Sequence, residues 1–173
     1  PMPIIHQKKI DVKYPTYLEQ PVMFPSRHDI TPLNVSECGT VIKRLLEADN
    51  EITIVSKPRL CVITYLAETF AEYRHKIIFR FTIGSSSDSI LRFWEPQASS
   101  FQERLACLQH CFNNGYKTSV SCEPYLDALV HLVYEAAISF VNESFWIGRM
   151  KNFNSRVDVS EISQGDYDQF VKP

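Results

Sequence analysis

A chain of 173 residues is long enough for one domain with a substantial buried core. Hydrophobic residues make up 45% of it and charged residues 22%, which are ordinary values for a globular protein. The net charge of -2 provides no long-range attraction to nucleic acid or anionic lipid, and no apolar run approaches the roughly 20 residues of a membrane-spanning helix.

The hydrophobic pattern divides the chain into three parts. Residues 1–21 hold four of the ten prolines and show no helical period, so we expect an extended lead-in. Residues 22–150 alternate short apolar runs, typical of strands, with apolar stripes of helical spacing. Residues 151–173 are polar, and we expect a peripheral or frayed tail.

The central part predicts an α/β fold. Four helices are expected between the strands, and long crossovers of this kind imply a parallel sheet. We therefore predict a partial (β/α) barrel of about five parallel strands, with helices on its outer face. The predicted strands are Val22–Phe24, Ile52–Val55, Ile77–Ile83, Lys117–Ser121 and Phe145–Ile147, and the helices are expected to begin near Thr31, Pro58, Ser100 and Pro124.

The helical stripes also predict which side chains face the core. Leu60, Ile63 and Leu66 are expected on the buried face of the helix after the second strand. Leu129 and Val133 are expected on the buried face of the helix after the fourth strand.

Polar clusters follow four of the predicted strands. Because the carboxyl ends of parallel strands meet at one edge of a sheet, we expect these clusters to converge on one face of the molecule. The clusters are Ser26-Arg27-His28-Asp29, Ser56-Lys57-Pro58, Gly84-Ser85-Ser86-Ser87-Asp88 and Ser121-Cys122-Glu123-Pro124.

Lys57 is the strongest single candidate for a binding residue. It lies at the end of the second strand, directly before a helix whose first N–H groups favour anions. A compact ammonium at this place suits a carboxylate or phosphate ligand. A Schiff-base lysine is the competing chemical role, and a surface lysine with no function is the third interpretation.

Polar side chains also line one face of the third and fourth strands. Arg80 and Thr82 share one face of the third strand, and Ser119, Ser121 and Glu123 share one face of the fourth. Since side chains alternate along a strand, each set points together, most simply into a barrel lumen. The alternative is a structural ion pair between the arginine and the glutamate.

Two further loops carry candidate residues. The segment Gly84–Ala98 is long for a connection between a strand and a helix, and its first serines, Ser85 included, offer donors to ribose or phosphate oxygens. The pair His28 and Asp29 allows two interpretations, an acid–base pair or an aspartate that stabilises the turn before Thr31.

The five cysteines are an odd number, and three of them lie on or near the apolar faces of predicted helices. This suits reduced thiols in a cytoplasmic protein better than a disulfide framework. Cys107 and Cys111 have a spacing that can hold a metal, but no third ligand follows, so we expect buried thiols. The start of the chain lacks the layout of a secretory signal and an initiator methionine, which suggests a fragment or a processed product.

Five segments occur in a characteristic order: Met23–Pro32, Ile54–Pro58, Phe79–Gly84, Phe93–Pro96 and Thr118–Pro124. Together they resemble a branch of the radical S-adenosylmethionine superfamily, the branch related to spore photoproduct lyase and DNA-repair photolyase-like proteins. The resemblance covers roughly Val22 to Met150.

The resemblance implies a partial (β/α)6 barrel with two cofactors. In such enzymes a 4Fe–4S cluster, held by a C-x3-C-x2-C loop, donates an electron to S-adenosylmethionine. The resulting 5′-deoxyadenosyl radical abstracts hydrogen from a substrate in the lumen, and a nucleic-acid substrate is implied by the family alone. The implied cofactor-binding residues are Ser56, Lys57, Ser85, Ser119 and Ser121, with Lys57 at the methionine carboxylate, and the implied catalytic residues are Arg80 and Glu123.

The sequence departs from this family in one essential feature, because no C-x3-C-x2-C occurs in it. We therefore expect a fragment or a form without the cluster, which does not perform radical chemistry alone. The alternatives are a non-catalytic ligand-binding or interaction domain on the same scaffold, or a lyase using Lys57. The first strand would be an open edge, which predicts self-association or a partner that covers it.

Overall fold

The computed structural model describes residues 10, 12–26, 28–156 and 163–172. Most of the first half of the predicted lead-in, Arg27 of the first polar cluster and the middle of the predicted tail lie outside the described residues. Over residues 12–21 the chain forms no helix or strand, whereas Ile10, in the same predicted lead-in, is buried in the core.

Five strands form one sheet whose spatial order follows the chain. They are β1 (Val22–Phe24), β2 (Ile52–Ser56), β3 (Ile77–Thr82), β4 (Lys117–Cys122) and β5 (Ser144–Ile147), and each is parallel to the next. A parallel sheet in chain order places all right-handed crossovers on one side. The predicted α/β fold with five parallel strands is confirmed, and the arrangement is consistent with a partial (β/α) barrel.

Seven α-helices accompany the sheet in the described part of the chain. They are α1 (Val35–Glu47), α2 (Leu60–Thr69), α3 (Asp88–Trp94), α4 (Phe101–Asn113), α5 (Val130–Ala137), α6 (Phe153–Arg156) and α7 (Gln164–Phe170), with short 3₁₀ helices at Ala71–Lys76 and Ile138–Phe140. Within the described ranges, none of the helices has the length and apolar character needed to cross a membrane.

The hydrophobic core lies between the helices and one face of the sheet. Ile54 on β2, Phe79 and Phe81 on β3 and Val120 on β4 are fully buried and belong to one cluster with the apolar faces of α1, α2, α4 and α5. Burial of each such side chain contributes about 1.5–3 kcal/mol. The alternate positions, including Arg80, point to the opposite, concave face.

Three helices begin later than the sequence predicts, because side-chain hydrogen bonds organise the preceding turns. They are α1, α2 and α5, which starts at Val130 after the Leu129 N–H has donated to the Asp127 carboxylate. The Asn34 side chain accepts from the Thr31 N–H at 2.7 Å and donates to the Asp29 carbonyl at 3.1 Å, so α1 starts after a turn. The first N–H of α2, from Leu60, donates to the Glu103 carboxylate at 3.0 Å.

Three details of the prediction are wrong. The segment Gly84–Ala98 is not a continuous loop, since it contains α3. Leu60 is 39% exposed and Leu129 is 48% exposed, although both were expected to face the core. Leu60 is the first residue of α2, and Leu129 precedes α5, so neither belongs to the turns that pack on the sheet.

The described part of the predicted tail packs against the rest of the molecule instead of fraying. Phe153, Tyr167 and Val171 are buried and form a second small cluster. The Tyr167 hydroxyl donates to the Tyr125 carbonyl at 3.0 Å and accepts from the Met150 N–H at 2.9 Å. Residues 157–162 and 173 are outside the described part.

Candidate functional site

A cleft lies at the carboxyl edge of the sheet, where three loops meet. Asp29 follows β1, Lys57 follows β2, and Glu95 follows α3 in the connection after β3. The cleft has a volume of about 320 Å³, and Arg59 and Trp94 also line it. Three of the predicted polar connections therefore do converge, as expected for the carboxyl edge of parallel strands.

Lys57 lies between two carboxylates. Its Nζ is 3.5 Å from Asp29 Oδ2 and 3.8 Å from Glu95 Oε1, and its side chain is 31% exposed. Charge-assisted hydrogen bonds are usually 2.7–2.9 Å long, so both contacts are loose. The positive charge of Lys57 is thus balanced by two carboxylates, but no short hydrogen bond holds its ammonium in place.

Glu95 is held more firmly, by Arg104 from α4. Arg104 is completely buried, and its Nη2 lies 2.7 Å from Glu95 Oε2. The same guanidinium donates to the Ser99 carbonyl and the Thr82 carbonyl, each at 3.0 Å. Arg104 therefore connects the end of β3, the following loop and the wall of the cleft. Sequence reasoning missed this residue, because its position in an amphipathic helix does not indicate burial.

Asp29 connects the loops after β1 and β2. Its carboxylate accepts from the Lys57 N–H at 2.7 Å and from the Ser56 hydroxyl at 3.4 Å. The ring of His28 lies elsewhere, with Nε2 3.8 Å from the Cys38 thiol. The geometry favours a structural role for Asp29 over an acid–base pair with His28. Ser56, which is 2% exposed, has its hydroxyl directed at Asp29 and the Ile30 N–H.

Ser85 is fully buried and does not line the cleft. Its hydroxyl donates to the carboxylate of Asp127 and accepts from the Ser87 N–H at 2.9 Å. Asp127 also accepts from the Leu129 N–H at 2.7 Å. Ser85 therefore joins the loop after β3 to the loop after β4, a contact that the sequence did not indicate.

A second polar cluster occupies the concave face of the sheet. Arg80 on β3 is in register with Ser119 on β4, which is in register with Ser144 on β5. Arg80 Nε donates to the Ser119 hydroxyl at 3.0 Å, and the hydroxyls of Ser119 and Ser144 are 2.9 Å apart. The ion-pair partner of Arg80 is Glu143, at 3.4 Å, and not Glu123.

Glu123 and Ser121 lie further along the same face. Ser121 is partly exposed and in register with Thr82 and Trp146. Glu123 is exposed, beyond the end of β4 and against Gly148. Among the described residues, no hydrogen bond or ion pair joins the Lys57 cleft to the Arg80 cluster. The seven predicted site residues thus fall into separate groups.

The cysteines do not form a metal site. All five are free, and Cys107 and Cys111 are fully buried on α4, as predicted. Burial raises the pKa of Cys107 to about 12 and that of Cys111 further, which disfavours the thiolates that metals require. In the ranges that the structure describes, no three His, Cys, Asp or Glu side chains are grouped to hold a metal ion.

Comparisons with known proteins identify no relative: no family model, no curated protein and no solved structure matches the chain. No relative therefore indicates the role of the candidate site, and the positions and contacts of its residues are the basis for a proposal.

Proposed function

We propose that this chain binds the amino-acid end of S-adenosylmethionine in the cleft around Lys57, as the ligand-binding part of a radical S-adenosylmethionine-type barrel. The observation that carries the proposal is the position of Lys57 between Asp29 and Glu95, at the carboxyl edge of a parallel sheet. Ligands of α/β proteins bind at this edge.

The charges of the cleft suit a zwitterion. A ligand carboxylate can take the place of Asp29 and Glu95 beside the Lys57 ammonium, and a ligand α-ammonium can take the place of Lys57 beside the carboxylates. This exchange leaves no charge uncompensated, which matters because an unpaired charge away from water is costly. The loose contacts of Lys57, 3.5 and 3.8 Å, favour its displacement, whereas Arg104 keeps Glu95 in position.

The size of the cleft limits what it holds. A volume of about 320 Å³ is at the lower end of the roughly 300–1,000 Å³ of ligand pockets. We therefore assign the amino-acid end of the ligand to the cleft and place the adenosyl group outside it.

The 4Fe–4S cluster that the resemblance implies does not fit the residues of this chain. The cysteine spacing is absent from the 173 residues, and the helix thiols are buried with raised pKa values. We therefore propose binding and assign no electron transfer or bond cleavage to these residues. Reductive cleavage would require three cysteine ligands that these 173 residues do not supply.

The lyase alternative has less support. Schiff-base formation begins with a neutral amine, but Lys57 makes two ion pairs that require its ammonium form. We expect borohydride treatment with a keto acid to trap no adduct that depends on Lys57. An adduct present in the wild type and absent from Lys57→Ala would favour the lyase instead.

Isothermal titration calorimetry tests the binding proposal. We expect saturable binding of S-adenosylmethionine at millimolar concentration, weakened about tenfold in Lys57→Ala through loss of one charge-assisted hydrogen bond. Lys43→Ala is the matched control, since Lys43 is an exposed helix lysine paired with Glu47 four residues later. Its affinity should equal that of the wild type. Absence of heat with the wild-type protein would count against the proposal.

A ligand lacking the carboxylate sharpens this test. Decarboxylated S-adenosylmethionine should bind the wild type about as weakly as S-adenosylmethionine binds Lys57→Ala, and the substitution should not weaken it further. If both ligands bind the wild type equally, Lys57 does not recognise the carboxylate.

A further inference from the structure

Trp146 is an exposed aromatic residue that is nevertheless held in one place. The residue is 48% exposed and lies on the concave face of β5. The indole Nε1 donates to the Ser144 hydroxyl at 2.7 Å, and the Arg80 guanidinium lies 5.2 Å from the ring centroid. A side chain fixed in this way loses little conformational entropy when a ligand binds to it.

Arg80 lies over the Trp146 indole, and about half of the residue remains exposed. The charge of Arg80 is compensated by Glu143, at 3.4 Å, and its Nε is engaged with Ser119. The guanidinium is therefore already satisfied, and the exposed part of the indole is the surface available to a ligand.

Glu123 lies next to Trp146 on the same face. Ser121 is in register with Trp146, and the β4–β5 pairing continues beyond the strands through the Gly148 N–H, which donates to the Cys122 carbonyl at 3.1 Å. Because side chains alternate, Glu123 and Gly148 occupy the next position of this face toward the carboxyl edge.

Gly148 provides the space that Glu123 occupies. A Cβ at this position would stand 2.9 Å from Glu123 Cγ and 3.0 Å from Glu123 Cδ, closer than side-chain atoms tolerate. Glycine at this position therefore allows the glutamate to lie across the chain after β5, at the position next to Trp146 on this face. The Glu123 side chain is exposed, and no described residue gives its carboxylate a hydrogen bond or an ion pair.

We infer that Trp146 and Glu123 form a binding site for an organic cation of the methylated-ammonium class. An aromatic face beside a carboxylate without a partner attracts such cations, because the ring quadrupole and the carboxylate act in the same direction. Anionic ligands are disfavoured, since the Glu123 carboxylate would repel them. The site goes beyond the proposed function, because neither Lys57 nor its partners take part.

Choline is a suitable probe, and 3,3-dimethyl-1-butanol is its neutral isostere. We expect calorimetry to show saturable binding of choline and binding about tenfold weaker for the isostere, a typical cation–π contribution. In a Trp94→Phe background Trp146 is the only tryptophan, and its emission should change with the same dependence on choline concentration. Absence of binding, or equal binding of both probes, would overturn the inference.

Substitutions at Trp146 and Glu123 test whether these side chains bind choline. Trp146→Phe should weaken choline binding several-fold, Trp146→Ala more strongly, and Glu123→Gln about tenfold. Glu135→Gln on α5 removes another exposed carboxylate and should leave the affinity unchanged. Circular dichroism verifies that each variant is folded.

The Lys57→Ala variant distinguishes choline binding at Trp146 from S-adenosylmethionine binding at Lys57. Choline should bind this variant as it binds the wild type, whether or not S-adenosylmethionine binding is lost. Loss of choline binding in Lys57→Ala, or wild-type affinity in Glu123→Gln, would contradict a site at Trp146.

Discussion

The helix-packed face and the concave face of the sheet alternate along the same strands, yet they differ in chemistry. On the helix-packed face, Ile54, Phe79 and Phe81 are completely buried and apolar. On the concave face, Arg80 and Ser119 form a hydrogen-bonded cluster beside the exposed Trp146. The difference arises because the crossovers of a parallel sheet in chain order all cover the same side.

The residues that stabilise the fold and the candidate binding residues therefore lie on different sides of the sheet. The covered face supplies the apolar burial that holds the domain together, so its residues have little freedom to change. The open face and the carboxyl edge need not be apolar, and the candidate binding residues lie there. Substitutions on the two sides should therefore have different effects on unfolding and on binding.

The largest effect is expected on the covered face. Phe79→Ala should lower the free energy of unfolding by about 3–5 kcal/mol, since a buried aromatic side chain is lost and a cavity remains. Urea denaturation followed by circular dichroism measures this. Ser121→Ala, on the concave face of the next strand, should change it by less than about 0.5 kcal/mol. Equal losses of unfolding free energy in Phe79→Ala and Ser121→Ala would contradict the expected difference between the two faces of the sheet.

The next largest loss of stability is expected for Arg104, because it is a charged group buried beneath the cleft. Arg104→Met leaves Glu95 without its firm partner and should destabilise the protein by about 3 kcal/mol. Arg59→Met is the matched control, since Arg59 lines the same cleft but is only partly buried. A loss below about 1 kcal/mol in Arg104→Met would show that the buried pair contributes little.

The buried thiols predict a loss of stability at high pH. Burial raises the pKa of Cys38 to about 11 and of Cys122 to about 12, from an ordinary value near 9. Above pH 9 the unfolded chain releases protons that the folded chain retains, so the stability is complete below pH 9 and falls as the pH rises toward 11. Denaturant titrations between pH 7 and 11 should show this fall, reduced in Cys122→Ala. A constant free energy of unfolding would contradict it.

A smaller effect is expected within the concave cluster. Ser119 is fully buried and bonded to Arg80 and Ser144, so Ser119→Ala should cost about 1 kcal/mol. Thr82→Ser, on the same face, retains a hydroxyl and should cost less. If Ser119→Ala has no effect in chemical denaturation, the network contributes nothing to stability.

The strands and their parallel arrangement were predictable because local signals define them. Ile52–Val55 and Ile77–Ile83 are β-branched or aromatic runs bounded by polar residues, and these patterns need no knowledge of distant contacts. The position of Lys57 at the carboxyl edge follows from the same pattern. The polar face of β3 and β4 was also predictable, because alternation along a strand sets it.

What the sequence did not indicate depends on contacts between distant residues. The pairing of Lys57 with Glu95 spans 38 positions, and Ser85 meets Asp127 across two connections. Trp146 lies in a short strand that carries little periodicity, so its place beside Arg80 required the register of three strands. Arg104 was overlooked because burial of a charged helix residue depends on its partners.

A crystal structure with S-adenosylhomocysteine would test the proposed binding mode, since this ligand carries the same amino-acid end. We expect the ligand carboxylate about 3 Å from Lys57 Nζ, with its ammonium beside Asp29 and Glu95. A ligand bound elsewhere, with Lys57 still between the two carboxylates, would contradict it.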